Sequence, residues 1–571
     1  MHPFDDVITF TAPDDSGHFT CEIWSPKGRS LKVFGNLHDP EPTVTGDPEL
    51  TRNRAIAQNL WTAASEYVQG LAIEEADAQE KSEDSEGGDG SEGSKGSEDS
   101  ASELAKNYLA AARASAKTAK KITGFTENLG EETTEGWCSN CAQLTTHHQV
   151  TTEGLKRSLF LCDGCGVPTV HCAAPGCTSM AVKTGGTKGM VPYCAEHRHD
   201  IPSFERSAET ITDLTEWETL VQFDKPDLAK LTTRASIGVA AVSGAAGVAM
   251  LAAPAVGGII GAQILGHTGI VATNAGLAAL GGGSVAAGGL GMAGGTYVVA
   301  TAGGLLGGVY GDRILGSYIG ADKSFRIEKI GDGAGVPVVI ARGFLNEKNP
   351  EWYKAVRTVK KLYPESPVYE LNWGSKELKH LGAVVGTQAV GQVGKKALLK
   401  TVGRAGKVMA KKAAPIAPAL AAGSLLKNPW HTAVNRANQT GTALAALLAK
   451  TEQKEFVLVG HSLGGRVMVT AATAMAGFGA APKIRDIHLM GAAIGGKRNW
   501  RPLSEAVSGT VNNYHSANDP VLKYLYSTAQ FGQSAVGRVG FHSQYPNILD
   551  HDVSDLVSNH GEYYDKVDLA E

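Results

Sequence analysis

The residues best suited to chemistry are Gly460-His461-Ser462-Leu463-Gly464, set between the apolar run EFVLVG (455–460) and a helical pattern beginning RVMV. A serine becomes a nucleophile when a sharp strand-to-helix turn holds its hydroxyl clear of the sheet. Glycines two before and two after let neighbouring backbone pass. The N–H of Leu463, at the helix start, then faces the developing oxyanion. Such a serine needs an imidazole to take its proton and a carboxylate to orient that imidazole, in the chain order Ser, Asp or Glu, His. Asp519, in TVNNYHSANDPVL, stands at the end of a strand-like run where the acid falls, although it can equally cap the helix VLKYLYST. Asp550, Asp552 and Asp555 are alternative acids close to the last histidine. Among His515, His542, His551 and His560, the favoured base is His560, in DVSDLVSNHGEYY. His461 reads as packing beneath the turn. A second oxyanion donor is expected after VVIA, at the N–H of Phe344 reached through Gly343, with Leu345 next.

Seven of the eight cysteines crowd between Cys138 and Cys194. Cys138-x2-Cys141 and Cys162-x2-Cys165 have the spacing of a four-thiolate zinc ribbon. Cys172-x4-Cys177 with Cys194-x2-His197 makes a three-Cys, one-His set, for which His199 or His171 could replace His197. Eight ligands close two structural Zn2+ sites, and none is expected for catalysis. Cys21 reads as a core thiol. This crowding argues against a disulfide framework and for a reducing compartment. Lys156, Arg157, Lys183 and Lys188 alternate with Glu153, Asp163 and Glu196, so no basic stripe for nucleic acid emerges, and protein contact, or simply the folding of a small module, is the more natural role.

A chain of 571 residues exceeds one hydrophobic core. The start, MHPFDDVITF, lacks a basic region followed by an apolar run, so no secretory signal is expected. Glycine is abundant, with 22 of 70 lying between Ala235 and Gly311, a stretch with no Asp, Glu, Lys or Arg. Small-xxx-small spacings such as Gly257/Gly261 and Gly303/Gly307 suit a membrane hairpin or a packed Ala/Gly hairpin. Residues 74–106 hold 12 acidic and 3 basic residues and almost nothing apolar, more negative charge than the whole-chain net of −5.

Five segments follow. They are a small N-terminal α+β region (1–73), a disordered acidic Ser/Gly linker (74–106), a helix with two zinc-binding modules (107–203), a helical uncharged Gly/Ala-rich hairpin (204–320) and an α/β domain (321–571). In the last, VPVVI (337–341), VYELNW (368–373), EFVLVG, IRDIHLMG (484–491), TVNNY (510–514) and the weaker GRVGFH (537–542) read as strands separated by helices. A Lys/Ala-rich insert at about 378–427 interrupts them and could rest on anionic headgroups.

The C-terminal half resembles the transmembrane and coiled-coil domain protein 4 family, through AAPAVGGIIGA, PVVIARGFL, VYELNWGSKEL, PWHTAVNRANQTGTALA, VLVGHSLGGRV, VNNYHSANDPVLKYLY and DVSDLVSNHGEYY. The resemblance covers about 235–565. It implies an α/β-hydrolase sheet with helices on both faces, a triad of Ser462, Asp519 and His560, and a membrane-linked serine hydrolase acting on lipid esters. The zinc modules, the acidic linker and the long basic insert depart from it. The expected protein is therefore a serine esterase or lipase, cytoplasmic or held on the cytoplasmic side of a membrane, taking glycerolipid or phospholipid esters. The alternatives are a non-catalytic membrane-anchored scaffold with protein-binding zinc modules, or a delivered antibacterial lipase toxin.

Overall fold

The computed structural model describes residues 4, 6–36, 42–86, 95–151, 158–183, 191–228, 315, 319, 322, 324–343, 352–374, 429–475, 483–496, 500–526 and 534–570. The uncharged block 235–311, the insert 378–427, Phe344 and Leu345 lie outside them. Two compact units are present: Met1–Gly320 with Thr442–Glu452 and Thr473–Ala481, and Ala321–Gly441 with Gln453–Ala472 and Pro482–Glu571.

The first unit opens with a four-stranded antiparallel sheet, β1 (Ile8–Thr11), β2 (Phe19–Trp24), β3 (Ser30–Gly35) and β4 (Thr43–Gly46). Strand side chains alternate between faces. Phe19, Cys21 and Ile23 on β2 and Leu31 and Val33 on β3 are buried, while Trp24 and Phe34 face outward. After the short helix α1 (Pro48–Thr51) come α2 (Arg54–Glu86) and α3 (Lys95–Thr126), which contribute Leu60, Trp61, Ala64, Ala112, Ala119 and Ile122 to the same core. Phe19 stacks on Trp61 at 4.8 Å. The acidic stretch expected to be disordered over 74–106 is therefore helical at both ends, leaving 87–94 outside the described residues. Its Glu, Ala, Gln and Lys are good helix formers, and they extend a helix already nucleated by packing.

A second antiparallel sheet follows: β5 (Leu129–Trp137), β6 (Leu144–Val150), β7 (Leu159–Cys162), β8 (Pro168–His171) and β9 (Met180–Val182). Cys138, Cys162, Cys165 and Val167 belong to the core that β1–β3 and α1–α3 build. Asn53 Nδ2 donates to Gly166 O at 3.1 Å and to Thr126 Oγ1 at 3.0 Å. The regions 1–73 and 107–203, separate in the sequence reading, share one core.

The second unit is built on a seven-stranded sheet. Its strands are β10 (Arg326–Gly331), β11 (Val338–Ala341), β12 (Val368–Asn372), β13 (Glu455–His461), β14 (Lys483–Met490), β15 (Val511–His515) and β16 (Ile548–Asp552), in the order β10-β12-β11-β13-β14-β15-β16. β10 runs antiparallel to β12, and every other neighbouring pair is parallel. Burial along β11 and β13 is continuous rather than alternating, as in a sheet covered on both faces. Helices α4 (Trp352–Leu362), α5 (Pro429–Ala449) and α6 (Leu463–Met475) intervene between strands.

GRVGFH is not a strand. Val536–Val539 forms a short helix, and the last strand is Ile548–Asp552. Asp550 on that strand accepts the N–H groups of Phe541 and His542 with one oxygen (2.8 and 2.9 Å), turning these residues away from any strand pairing. Gly540, at φ 88°, makes the turn.

Candidate active site

β13 ends at His461 and α6 begins at Leu463, so Ser462 alone occupies the turn, at φ 59°. Left-handed backbone at a residue other than glycine costs about 1–2 kcal/mol. Main-chain bonds offset it: Ser462 N–H donates to Met490 O at 3.0 Å, and its carbonyl accepts from Gly465 N at 3.1 Å and Ala493 N at 3.0 Å. A side chain at Gly460 would put Cβ 2.5 Å from Gly465 Cα, and one at Gly464 would strike Ala341 O. Arg466, buried in α6, donates through Nε (3.1 Å) and Nη2 (2.8 Å) to Ala493 O and so braces the loop that holds the serine. Ser462 Oγ is buried and has no hydrogen-bond partner among the described residues.

Gly343 lies against this hydroxyl. A Cβ there would stand 2.9 Å from both Ser462 Oγ and Leu463 N, so the missing side chain keeps open the space in front of the Leu463 N–H. Phe344 and Leu345, the expected second oxyanion donors, lie outside the described residues. Gly343→Val should cut the reaction of Ser462 with a p-nitrophenyl ester at least about a hundredfold, the scale for loss of an oxyanion donor, while circular dichroism stays unchanged. A wild-type rate in a folded variant would show that this space takes no part.

Asp519 and His560 are brought together with Asp519 fully buried and His560 nearly so. His560 Nδ1 donates to Asp519 Oδ2 at 2.6 Å. Tyr563 OH donates to the same oxygen at 3.3 Å. Oδ1 accepts the N–H groups of Val521 (3.0 Å) and Leu522 (3.1 Å). One Asp519 oxygen thus caps the following helical turn and the other receives the imidazole. Burial pushes the Asp519 carboxyl up, but the His560 imidazole and the Leu522 N–H outweigh it and hold the group below its ordinary 3.8. Tyr563 is driven well above the usual phenol range by burial and then by Asp519, so it remains a donor.

His461 is buried too, with Nε2 2.7 Å from the carbonyl oxygen of His560. Burial pushes its imidazole down to about 3. The other candidates are placed elsewhere. His551 Nε2 meets Asn512 Oδ1 at 2.7 Å, His542 is exposed on irregular chain at φ 49°, and His515 ends β15. Asp552 accepts from Ser554 N at 2.9 Å. Tyr563 and Arg466 went unremarked in the sequence. Tyr563 is three residues beyond His560, but nothing in the spacing says its hydroxyl turns back to the acid.

A hydroxyl on a left-handed turn, an imidazole oriented by a buried carboxylate and an open N–H beside the hydroxyl are the parts that nucleophilic acyl transfer requires.

In the first unit, Cys138, Cys141, Cys162 and Cys165 form one group able to hold a metal ion, and Cys172, Cys177, Cys194 and His197 a second. None of the eight cysteines is joined in a disulfide. Cys138 and Cys165 Sγ lie 3.8 Å apart, Cys141 and Cys162 3.9 Å, and Cys177 and Cys194 3.9 Å. A tetrahedron with metal–sulfur bonds of about 2.3 Å has edges of about 3.8 Å, so the donor sets fit an ion at each centre. His197 turns Nδ1 toward Cys194 Sγ (3.2 Å) and Cys172 Sγ (3.7 Å). His199 instead bonds Lys225 O at 2.6 Å, and His171 lies edge-on to Phe160. The Cys172 sulfur also accepts N–H groups from Ala174 (3.5 Å) and Cys194 (3.2 Å), the support a thiolate ligand receives in a tight knuckle.

The chain belongs to the family described as Protein of unknown function (DUF726), whose model matches residues 229–569. A Caenorhabditis elegans protein named Uncharacterized membrane protein F35D11.3 is 30% identical over 255 residues, covering 43% of this chain and 41% of that one. Probable lipase MIL1 of Saccharomyces cerevisiae is 28% identical over 205 residues, covering 35% and 19%. Transmembrane and coiled-coil domain-containing protein STS1 of Oryza sativa subsp. japonica is 27% identical over 148 residues, covering 25% and 22%. The matches thus span less than half the length of these relatives. Among the described residues no helix is long and apolar enough to cross a membrane.

Proposed function

We propose that this protein is a serine hydrolase of the α/β-hydrolase class that cleaves carboxylic esters, lipid esters above all, through an acyl-enzyme on Ser462. The observation that carries this reading is the buried His560–Asp519 pair at 2.6 Å, bonded through the His560 carbonyl to the residue beside Ser462. The sheet order, with its one antiparallel strand at the β10 edge, and the strand–serine–helix turn agree with it. His560 takes the Ser462 proton as Oγ attacks the ester carbonyl, and Asp519 holds the imidazole and stabilises its cation. The N–H groups of Leu463 and Phe344 receive the oxyanion. The His560 proton then passes to the departing alcohol, and water, deprotonated by His560 in turn, releases the acid and restores Ser462.

A lipid substrate is supported by the name of the yeast relative and by the uncharged Gly/Ala sequence of 235–311, whose composition suits an apolar environment. The resemblance to the transmembrane and coiled-coil domain protein 4 family points the same way, to attachment at the cytoplasmic face of a membrane. The two cysteine sets are assigned as structural Zn2+ sites, tetrahedral and closed, in modules suited to protein contact. The test is hydrolysis of p-nitrophenyl esters and of glycerolipid and phospholipid vesicles by the full chain. Ester cleavage that disappears in Ser462→Ala is expected. Equal turnover in wild type and Ser462→Ala would refute the reading.

A further inference from the structure

We infer that His461 is a positioning residue: through one hydrogen bond from its Nε2–H to the carbonyl of His560, it sets the distance between the nucleophile and the base. The inference deepens the esterase reading and rests on it.

The geometry starts from the strand. His461 is the last residue of β13, adjacent to Ser462, so any group bonded to its side chain is fixed relative to the serine by one residue of rigid backbone. Its Nε2 lies 2.7 Å from the His560 carbonyl oxygen. That oxygen can only accept, so Nε2 carries the proton and the neutral ring has its lone pair on Nδ1. Burial keeps the ring neutral through the physiological range, which preserves this tautomer. The loop bearing His560 also packs on the ring face: His560, Tyr563 and Tyr564 have ring centroids 4.8, 5.7 and 5.8 Å from that of His461.

The base itself sits on irregular chain between β16 and the short helix Tyr563–Lys566. Asp519 orients its ring, Ser516 Oγ holds Val557 O at 2.6 Å, and Glu562 accepts the N–H groups of Ser558 (3.0 Å) and Asn559 (3.1 Å). These bonds shape the loop and aim the imidazole. The His461 bond adds a direct tie from the loop to the strand that delivers the serine. General-base catalysis depends steeply on such a distance: a displacement of about 1 Å can cost about a hundredfold in rate.

The two side-chain amides separate this role from simple packing. A glutamine amide nitrogen reaches the place of imidazole Nε2, whereas an asparagine amide reaches only the place of Nδ1. The experiment measures the rate constant and the non-covalent affinity for a fluorophosphonate probe with full-length wild type, His461→Gln, His461→Asn and Ser462→Ala, with melting temperatures alongside. His461→Asn is expected to react about 10- to 100-fold more slowly at unchanged probe affinity, and His461→Gln to recover most of the rate. Equal rates in all three serine-containing proteins, or a glutamine variant no faster than asparagine at matched melting temperature, would overturn the inference while leaving the esterase reading standing. Absence of Ser462-dependent reaction in the wild type would overturn both.

Discussion

Asp519→Asn is expected to slow acylation of Ser462 by about a thousand- to ten-thousandfold while the sheet stays folded. The carboxylate receives the His560 Nδ1–H at 2.6 Å and, among the described residues, makes no other ion pair. An amide can still cap Val521 and Leu522 through its oxygen. Toward His560 it presents an N–H, which favours the opposite imidazole tautomer and leaves the imidazolium unstabilised. A loss of this size is characteristic when the orienting acid of such a triad becomes an amide. The check is single-turnover release of p-nitrophenol, and a variant within tenfold of wild type would remove Asp519 from the triad.

The same carboxylate predicts a pH effect on stability. Its folded pKa lies below the ordinary value, so its stabilising contribution is complete above about 3.8 and is lost as pH falls through the lower folded value. Asp519→Asn should therefore flatten the acid limb of the unfolding curve relative to wild type.

Metal removal should have the second large effect, on stability rather than on rate. Cys138, Cys162 and Cys165 are built into the core that also holds Phe19, Leu60 and Trp61. Without an ion, four sulfurs about 3.8 Å apart lose the bonds that hold them together, and the knuckles from β5 to β8 lose their anchor. The second set anchors a smaller cluster with Ile201 and Phe204, on which Trp137 stacks at 5.7 Å. Cys162→Ser should cost about 3 kcal/mol or more and lower the melting temperature of the first unit by about 10 °C. Cys177→Ser, at a partly exposed ligand of the smaller cluster, should cost less. Metal analysis of the full chain should find two zinc ions, falling by one in each variant. An unchanged metal content in Cys162→Ser would contradict the assignment.

Much of the candidate site is legible in the sequence because its constraints are local. The turn at Ser462 needs glycines at fixed offsets, and CxxC knuckles need two residues between ligands. Both leave marks within a few positions of sequence. The strands β11 and β13 were legible for a similar reason, since a covered parallel strand favours a continuous apolar run. β12, β14 and β15 interrupt theirs with Glu370, Asp486, His488, Asn512 and Asn513 and were read from shorter apolar stretches between helical patterns. Residues 537–542 misled because Val and Phe among glycines look strand-like, whereas Asp550, on a later strand, claims the N–H groups that pairing would need. The helix over much of 74–106 was missed because composition describes a segment in isolation, while α2 enters it already packed. Tyr563 and His461 act through contacts to Asp519 and to the His560 main chain, 44 and 99 residues away, and no local spacing encodes such pairings.

The most direct test is the site of covalent capture. Full-length protein treated with a fluorophosphonate and digested should yield one adduct, on the peptide containing Gly460 to Arg466, at Ser462. Ser462→Ala should abolish it, and His560→Ala should slow it by a thousandfold or so. An adduct on another serine, or a folded, metal-loaded protein that gives none, would contradict the account.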